Sequence, residues 1–127
     1  MTDTMTDTER QLRSQCDSLA AEIDAMDTAT RAWIESDDDD ESPAAQFLAD
    51  ALEVYAEGRY SLNVGEWFVA RWGVLVALGG PGIRVVVEGS GSCTIEGRWW
   101  GDSYDACATS QHLASELDSL ADAYSLG

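Results

Sequence analysis

The 127-residue chain contains no lysine, and its seven arginines face 24 aspartates and glutamates. A formal net charge of −17 disfavours direct binding to nucleic acid, because that affinity comes mainly from neutralising phosphates. The longest apolar run, residues 74–78, falls far short of the roughly 20 residues that span a membrane. The first ten residues, MTDTMTDTER, carry acids where a secretory leader needs Lys or Arg. We therefore expect a cytoplasmic protein that contacts neither nucleic acid nor membranes directly.

Histidine and cysteine are also scarce. His112 is the single histidine, it lies in a predicted helix, and no nucleophile motif accompanies it. Cys16, Cys93 and Cys107 include no Cys-x-x-Cys pair, and one histidine cannot complete a zinc site with them. The sequences GGPG and GSGS lack the phosphate-loop patterns, and DDDDE lacks the spaced ligands of an EF-hand. We therefore expect no enzymatic activity, metal or cofactor, and cysteines that act as small buried apolar residues.

The acidic residues are concentrated toward the N-terminus. Residues 1–57 carry 16 acids and 3 arginines, whereas residues 58–105 carry 5 acids and 4 arginines. Residues 106–127 carry 3 acids and no arginine. Most of the net charge therefore belongs to the N-terminal half, which favours a role for that half in electrostatic recognition.

An amphipathic helix is predicted near the start of a single domain spanning residues 8–127, after a flexible tail at residues 1–7. Thr8 and Gln11 fit a capping box, and apolar residues then recur at spacings of 4, 3, 4 and 3, in a helix that reaches about Trp33. These apolar residues are Leu12, Cys16, Leu19, Ile23 and Met26. The stripe favours a helix packed on the core, and the alternative is a homodimer formed through this first helix.

The sequence SDDDDESP interrupts the helical pattern, and mutual repulsion of its acids predicts a solvated loop at residues 36–42. Ser42 is then expected to cap a second helix that has Pro43 in its first position. Gly58 is the expected end of this helix. Its predicted buried face contains Phe47, Leu48, Ala51, Leu52 and Tyr55.

Beyond Gly58 the apolar period changes from 3.6 to 2, which predicts strands separated by Gly-rich turns. On the strand EWFVARWGVLVAL, one face is predicted to carry Phe68, Ala70, Trp72, Val74, Val76 and Leu78. A closing helix, capped by Thr109 or Ser110, is predicted from Leu113, Leu117, Leu120 and Tyr124. The predicted fold is α+β: two N-terminal helices, a three- to four-stranded antiparallel meander and a C-terminal helix packed on the sheet.

Two adjacent tryptophans, Trp99 and Trp100, end the last predicted strand. The residues sharing the face of Trp99 are Cys93, Ile95 and Gly97, which places Trp99 in the core. The residues sharing the face of Trp100 are Thr94, Glu96 and Arg98. An exposed pair of Trp100 and Arg98 is typical of a binding hot spot. The alternative is that Arg98 or Arg84 stacks on Trp100 as a cation–π pair.

The sequences VLVALGGPGIRVVV and IEGRWWGD together resemble a core found in small uncharacterised proteins of phages and conjugative elements. In those proteins a strand ending in Gly-Gly-Pro is followed by a short strand and then by a strand ending in Trp-Trp-Gly. The resemblance covers about residues 72–102, with matches at Gly79, Gly80, Pro81, Ile83, Trp99, Trp100 and Gly101. It implies an accessory protein of a mobile element and no particular chemistry.

Small acidic mobile-element proteins that block CRISPR effectors or restriction enzymes resemble the overall profile of this chain. We therefore expect a host protein with a basic nucleic-acid-binding surface as partner, bound by nucleic-acid mimicry. The acids expected to make the contacts are Asp17, Glu22, Asp24, Asp27, Asp37, Asp38, Asp39, Asp40 and Glu41.

Salt adaptation is the main alternative explanation of the acids, because proteins of high-salt cytosols are acid-rich and lysine-poor. A GC-rich genome would also favour arginine over lysine. The chain is then a halophilic interaction module whose partner binds the sheet face through Arg98 and Trp100. The uneven distribution of charge favours mimicry over salt adaptation.

Overall fold

A computed structural model of the protein describes residues 6–36, 41–79 and 81–123. Its elements in chain order are α1 (Asp7–Glu35), α2 (Pro43–Asp50), β1 (Glu53–Ser61), β2 (Glu66–Ala77), β3 (Gly82–Val87), β4 (Ser92–Trp99), β5 (Asp102–Thr109) and α3 (Gln111–Ala123). In these residues the five strands form an antiparallel meander in the order β1-β2-β3-β4-β5. The α+β class and the closing helix are confirmed, but the sheet has five strands instead of three to four.

The core lies between one face of the sheet, called the inner face, and the helices. The apolar stripe of α1 is buried there, against β4 and β5, as the core interpretation of the first helix predicts. Helix and sheet approach closely at Gly97, where an added Cβ would lie 2.6 Å from Cys16 Sγ and 2.7 Å from Leu12 Cδ1. A homodimer through α1 would therefore have to use other residues of the helix than this stripe.

Hydroxyl groups fix the ends of the helices. The N-cap of α1 is Thr6, which accepts from the Glu9 backbone N–H at 3.0 Å, so the helix begins before the predicted Thr8. Thr30, buried in α1, donates to the Met26 carbonyl at 2.9 Å and accepts from the Ala44 N–H at 3.1 Å. This hydroxyl therefore ties the start of α2 to α1. Ser42 caps α2 as predicted, by accepting from the Ala45 N–H at 3.1 Å.

The second helix is shorter than predicted, because it ends at Asp50 and not at Gly58. The Ala51 backbone is extended, and the Leu52 N–H donates to the Leu75 carbonyl at 2.8 Å. Leu52 and Tyr55, predicted on the helix, therefore lie just before and within β1. Pairing with β2 outweighs the helical spacing in this segment, because the backbone groups of β1 that face β2 gain ladder partners.

A register shift in the pairing of β1 with β2 changes the predicted faces of β2. Trp72 and Val74 are buried on the inner face, as predicted. On the N-terminal side of the shift in β2, Phe68 is exposed, and Val69 packs against the core instead. The extra residue of a β-bulge reverses the alternation of faces along the rest of the strand. Leu78, also predicted on the buried face, lies beyond the end of β2 and is exposed.

The fifth strand and the cap of α3 complete the architecture. β5 pairs with β4 from Ser92↔Thr109 to Trp99↔Asp102, and no strand was predicted in this segment. Ser110 caps α3 by accepting from the Leu113 N–H at 3.1 Å, which was one of the two predicted caps. Of the predicted tail at residues 1–7, Thr6 and Asp7 belong to the start of α1 instead, and residues 1–5 lie outside the described residues, as do Asp37 to Asp40, Gly80 and Tyr124.

Candidate binding surfaces

The three helices cover the inner face of the sheet, and the solvent-exposed surface of these helices, with its acidic side chains, is called the acidic layer. Glu22 and Asp24 on α1 and Glu41 before α2 are exposed, and no ion pair involves them in the described residues. Asp17 is also exposed and accepts a hydrogen bond from the Tyr104 hydroxyl at 2.8 Å, which raises the pKa of Tyr104. Four predicted contact residues are therefore available on this layer.

Asp27, another predicted contact residue, accepts hydrogen bonds from within the fold. Its Oδ1 accepts from the Ser110 hydroxyl at 2.6 Å and from the His112 backbone N–H at 3.3 Å, while its side chain is only 17% exposed. A carboxylate at a helix N-terminus satisfies free N–H groups and interacts favourably with the helix dipole. Asp27 thus joins α1 to the start of α3, and His112 is half-buried beside it.

The face of the sheet opposite the helices, the outer face, carries paired charges. Arg71 donates to Glu57 at 2.6 Å, Arg84 to Glu96 at 2.6 Å, and Arg98 to Asp105 at 3.0 Å. Arg84 also donates to the Tyr55 hydroxyl at 2.7 Å, and the Tyr55 ring lies over Gly73, where an added Cβ would be 2.1 Å from Cζ. The outer face is therefore nearly neutral, in contrast to the acidic layer.

The two tryptophans have different environments. Trp99 is partly buried against the core, as predicted. Trp100 lies in the turn between β4 and β5, not on the strand face with Arg98, and it is 87% exposed with a φ of 61°. The cation–π pair found in the described residues joins Arg13 to the Tyr104 ring at 4.9 Å and does not involve Trp100. A positive φ at a tryptophan is a strained conformation that most turns avoid with Gly or Asn.

A two-stranded ribbon, residues 58–70, extends beyond the rest of the sheet because β3 pairs with β2 only from Trp72 onward. The exposed large apolar residues of this ribbon and its turn are Tyr60, Leu62, Val64, Trp67 and Phe68. Tyr60 and Trp67 stack edge to face, with ring centroids 5.2 Å apart. Phe68 was predicted on a buried strand face, and the sequence did not indicate that these residues form one exposed surface.

A cleft of about 380 Å³ lies between α1, α2 and β2. Its lining includes the apolar side chains of Leu19, Met26 and Phe47 together with the carboxylates of Glu22 and Asp50. The acidic layer therefore combines charge with an apolar cavity.

The cysteines occupy different depths. Burial raises the pKa of Cys93 to about 11 and also raises the pKa of Cys16, whereas Cys107 is exposed on the outer face. In the described residues no three His, Cys, Asp or Glu side chains are grouped to hold a metal ion. None of the helices within those ranges is long and apolar enough to cross a membrane.

No protein-family model, curated protein or solved structure matches the chain.

Proposed function

We propose that the protein works by binding, and that the acidic layer occupies a basic nucleic-acid-binding surface of a partner protein. The observation that carries the proposal is the separation of charge between two faces of one sheet. On the outer face, three arginines neutralise three carboxylates. On the acidic layer, Glu22, Asp24 and Glu41 are exposed to solvent without such partners in the described residues.

Unpaired, exposed carboxylates suit recognition better than stability. They steer a basic partner into place. In the complex they form ion pairs with the arginines and lysines that otherwise contact the phosphates of nucleic acid. The cleft beside Glu22 and Asp50 adds apolar surface, which suits the aliphatic stems of Arg and Lys. The resemblance of residues 72–102 to mobile-element proteins, together with an acidic profile like that of inhibitors of CRISPR effectors and restriction enzymes, supports such an enzyme as that partner.

The first test compares two variants of equal net charge for capture of partners from a nuclease-treated host lysate. Replacing Glu22, Asp24 and Glu41 with Gln or Asn should weaken capture of a nucleic-acid-binding protein about tenfold, since each exposed charge pair contributes roughly 0.5 kcal/mol. The matched control neutralises Glu66, Glu88 and Asp102, which lie at or next to the ends of strands. Equal loss in both variants would show that total charge, and not the acidic layer, determines binding.

A second candidate function is docking of a partner at the turn that contains Trp100. The observation that favours it is an exposed tryptophan held at φ 61°, a position that Gly would occupy with less strain. Backbone strain is concentrated at functional sites, and tryptophan is enriched among the residues that contribute most to binding. In this case the acids serve as salt adaptation, and binding persists at high salt.

Trp100→Gly separates the two roles of this residue. The variant should raise the free energy of unfolding by about 1 kcal/mol, because Gly accepts the left-handed conformation that Trp resists. If Trp100 is the anchor, salt-resistant capture is lost at the same time, while Trp67→Ala, which removes another exposed tryptophan, leaves it intact. Denaturant unfolding and capture at about 1 M salt measure the two effects. Unchanged capture by Trp100→Gly would remove this candidate.

A further inference from the structure

β1 is an edge strand, and along its free edge, on the side away from β2, it has no partner strand in the described residues. The opposite edge strand, β5, lies against α1, whereas helical contacts to β1 are few. An uncovered edge presents free N–H and C=O groups, and proteins usually protect it with proline, lysine or a covering segment. The sequence of β1, EVYAEGRYS, contains no proline, and since the chain has no lysine, the charged residues of this edge are Glu53, Glu57 and Arg59.

The charged residues of β1 differ in whether they form ion pairs in the described residues. Glu57 already binds Arg71 at 2.6 Å. Glu53 and Arg59 are both exposed, and neither forms an ion pair in the part of the chain that the structure describes. They lie six positions apart on one strand, so both side chains are on the outer face. β1 therefore carries one unused charge of each sign on the same face.

We propose that β1 pairs antiparallel with β1 of a second copy of the chain, about a two-fold axis at Ala56. In this register Glu53 lies opposite Arg59 of the second copy, and the symmetry repeats the pair. Opposite charges directly across an antiparallel ladder stabilise it. Leu52 and Tyr60, which are 62% and 45% exposed, come together at the ends of the paired segment.

Neighbouring registers lack this complementarity. An axis at Glu57 places two Glu57 carboxylates opposite each other, and an axis at Tyr55 places Glu53 opposite Glu57. An axis at Gly58 pairs Arg59 with Glu57, whose carboxylate already binds Arg71. Like charges directly opposite destabilise a strand pair, so the register about Ala56 is favoured over these three.

The resulting dimer has a continuous ten-stranded sheet with both acidic layers on the same face, because the axis is perpendicular to the sheet. Added salt screens the two Glu53–Arg59 attractions as well as the repulsion between two chains of net charge −17, and because the repulsion is the larger effect, salt should strengthen the dimer. Dimerisation through β1 does not depend on whether the acidic layer binds a basic partner.

Sedimentation equilibrium of the full chain tests the proposal from about 1 μM to about 1 mM, at about 0.1 M and about 1 M salt. The expected result is a mass rising from 13.7 kDa toward twice that value, at lower concentration in the higher salt. Glu53→Arg and Arg59→Glu should each weaken the dimer about tenfold, because each change replaces two attractions with two repulsions. The double variant should restore the dimer to within about threefold of wild type, because it re-forms both pairs with their signs exchanged.

Glu88→Arg is the control for net charge, since it makes the same change as Glu53→Arg in the turn after β3 and should not weaken the dimer. Circular dichroism checks the fold of each variant, and Glu53→Gln with Arg59→Gln replaces any that fails to fold, with a smaller loss expected. A monomer throughout would overturn the proposal. The proposal would also be overturned if the single changes left the dimer affinity unchanged, or if the double variant dimerised as weakly as the single variants.

Discussion

Gly97→Ala should lower the free energy of unfolding by about 2 kcal/mol, the usual effect of overfilling a packed core. The new Cβ would lie 2.6 Å from Cys16 Sγ and 2.7 Å from Leu12 Cδ1, and both side chains are fully buried. Relief of these contacts requires α1 to move away from β4, which opens the core between them. Denaturant unfolding monitored by tryptophan fluorescence measures the loss.

Gly82→Ala is the matched control, because Gly82 also lies in a strand and its nearest neighbour to an added Cβ is the Arg98 carbonyl at 3.8 Å. This variant should change stability by less than about 1 kcal/mol, in the stabilising direction, since alanine restricts the unfolded chain. Equal destabilisation by the two changes would contradict the close approach of α1 to β4.

Asp27→Ala should lower the free energy of unfolding by about 2 kcal/mol, because the His112 N–H in the first turn of α3 loses its acceptor and a buried hydroxyl is left without its partner. Ser110 is fully buried and donates to Asp27 at 2.6 Å, so its hydroxyl loses that acceptor in the variant. Thermal unfolding followed by circular dichroism measures the effect.

Asp24→Ala is the control for Asp27→Ala, since Asp24 is an exposed acid on the same helix. Its removal should change stability by less than about 0.5 kcal/mol. A comparable loss in both variants would mean that acidity of α1, and not the link to α3, stabilises the fold.

Local sequence patterns predicted those elements whose signals lie within a few residues. Ser42 followed by Pro43 marked the start of α2, and the spacing of Leu12, Cys16 and Leu19 marked the buried face of α1. In both cases the physical cause, a cap or an apolar stripe, is contained in one turn or two of the helix.

Long-range pairing explains most of the errors. Residues 51–55 continue the helical spacing of α2, and only their ladder with β2 makes them extended. β5 was missed because its inner face is filled by small residues, Ala106 and Ala108, which give a weak apolar pattern. The role of Asp27 depends on Ser110, 83 positions away, which no local pattern reveals.

The candidate surfaces were predicted in part. Trp100 was named from sequence as a large aromatic without obvious burial, and it is 87% exposed, but its place in a turn depends on pairing of Trp99 with Asp102. The ribbon was not foreseen, because its exposure depends on where the pairing of β2 with β3 ends, which no local pattern reveals.

Competition with duplex DNA is the most direct measurement of whether the acidic layer acts as a nucleic-acid mimic. The tagged chain captures its partner from a nuclease-treated host lysate at about 0.1 M salt, and non-hydrolysable duplex DNA is then added at constant ionic strength. The proposed function predicts that DNA releases the partner, because both ligands occupy one basic surface, and that about 1 M salt also releases it by screening. A partner that stays bound through both treatments would contradict mimicry and favour docking at Trp100.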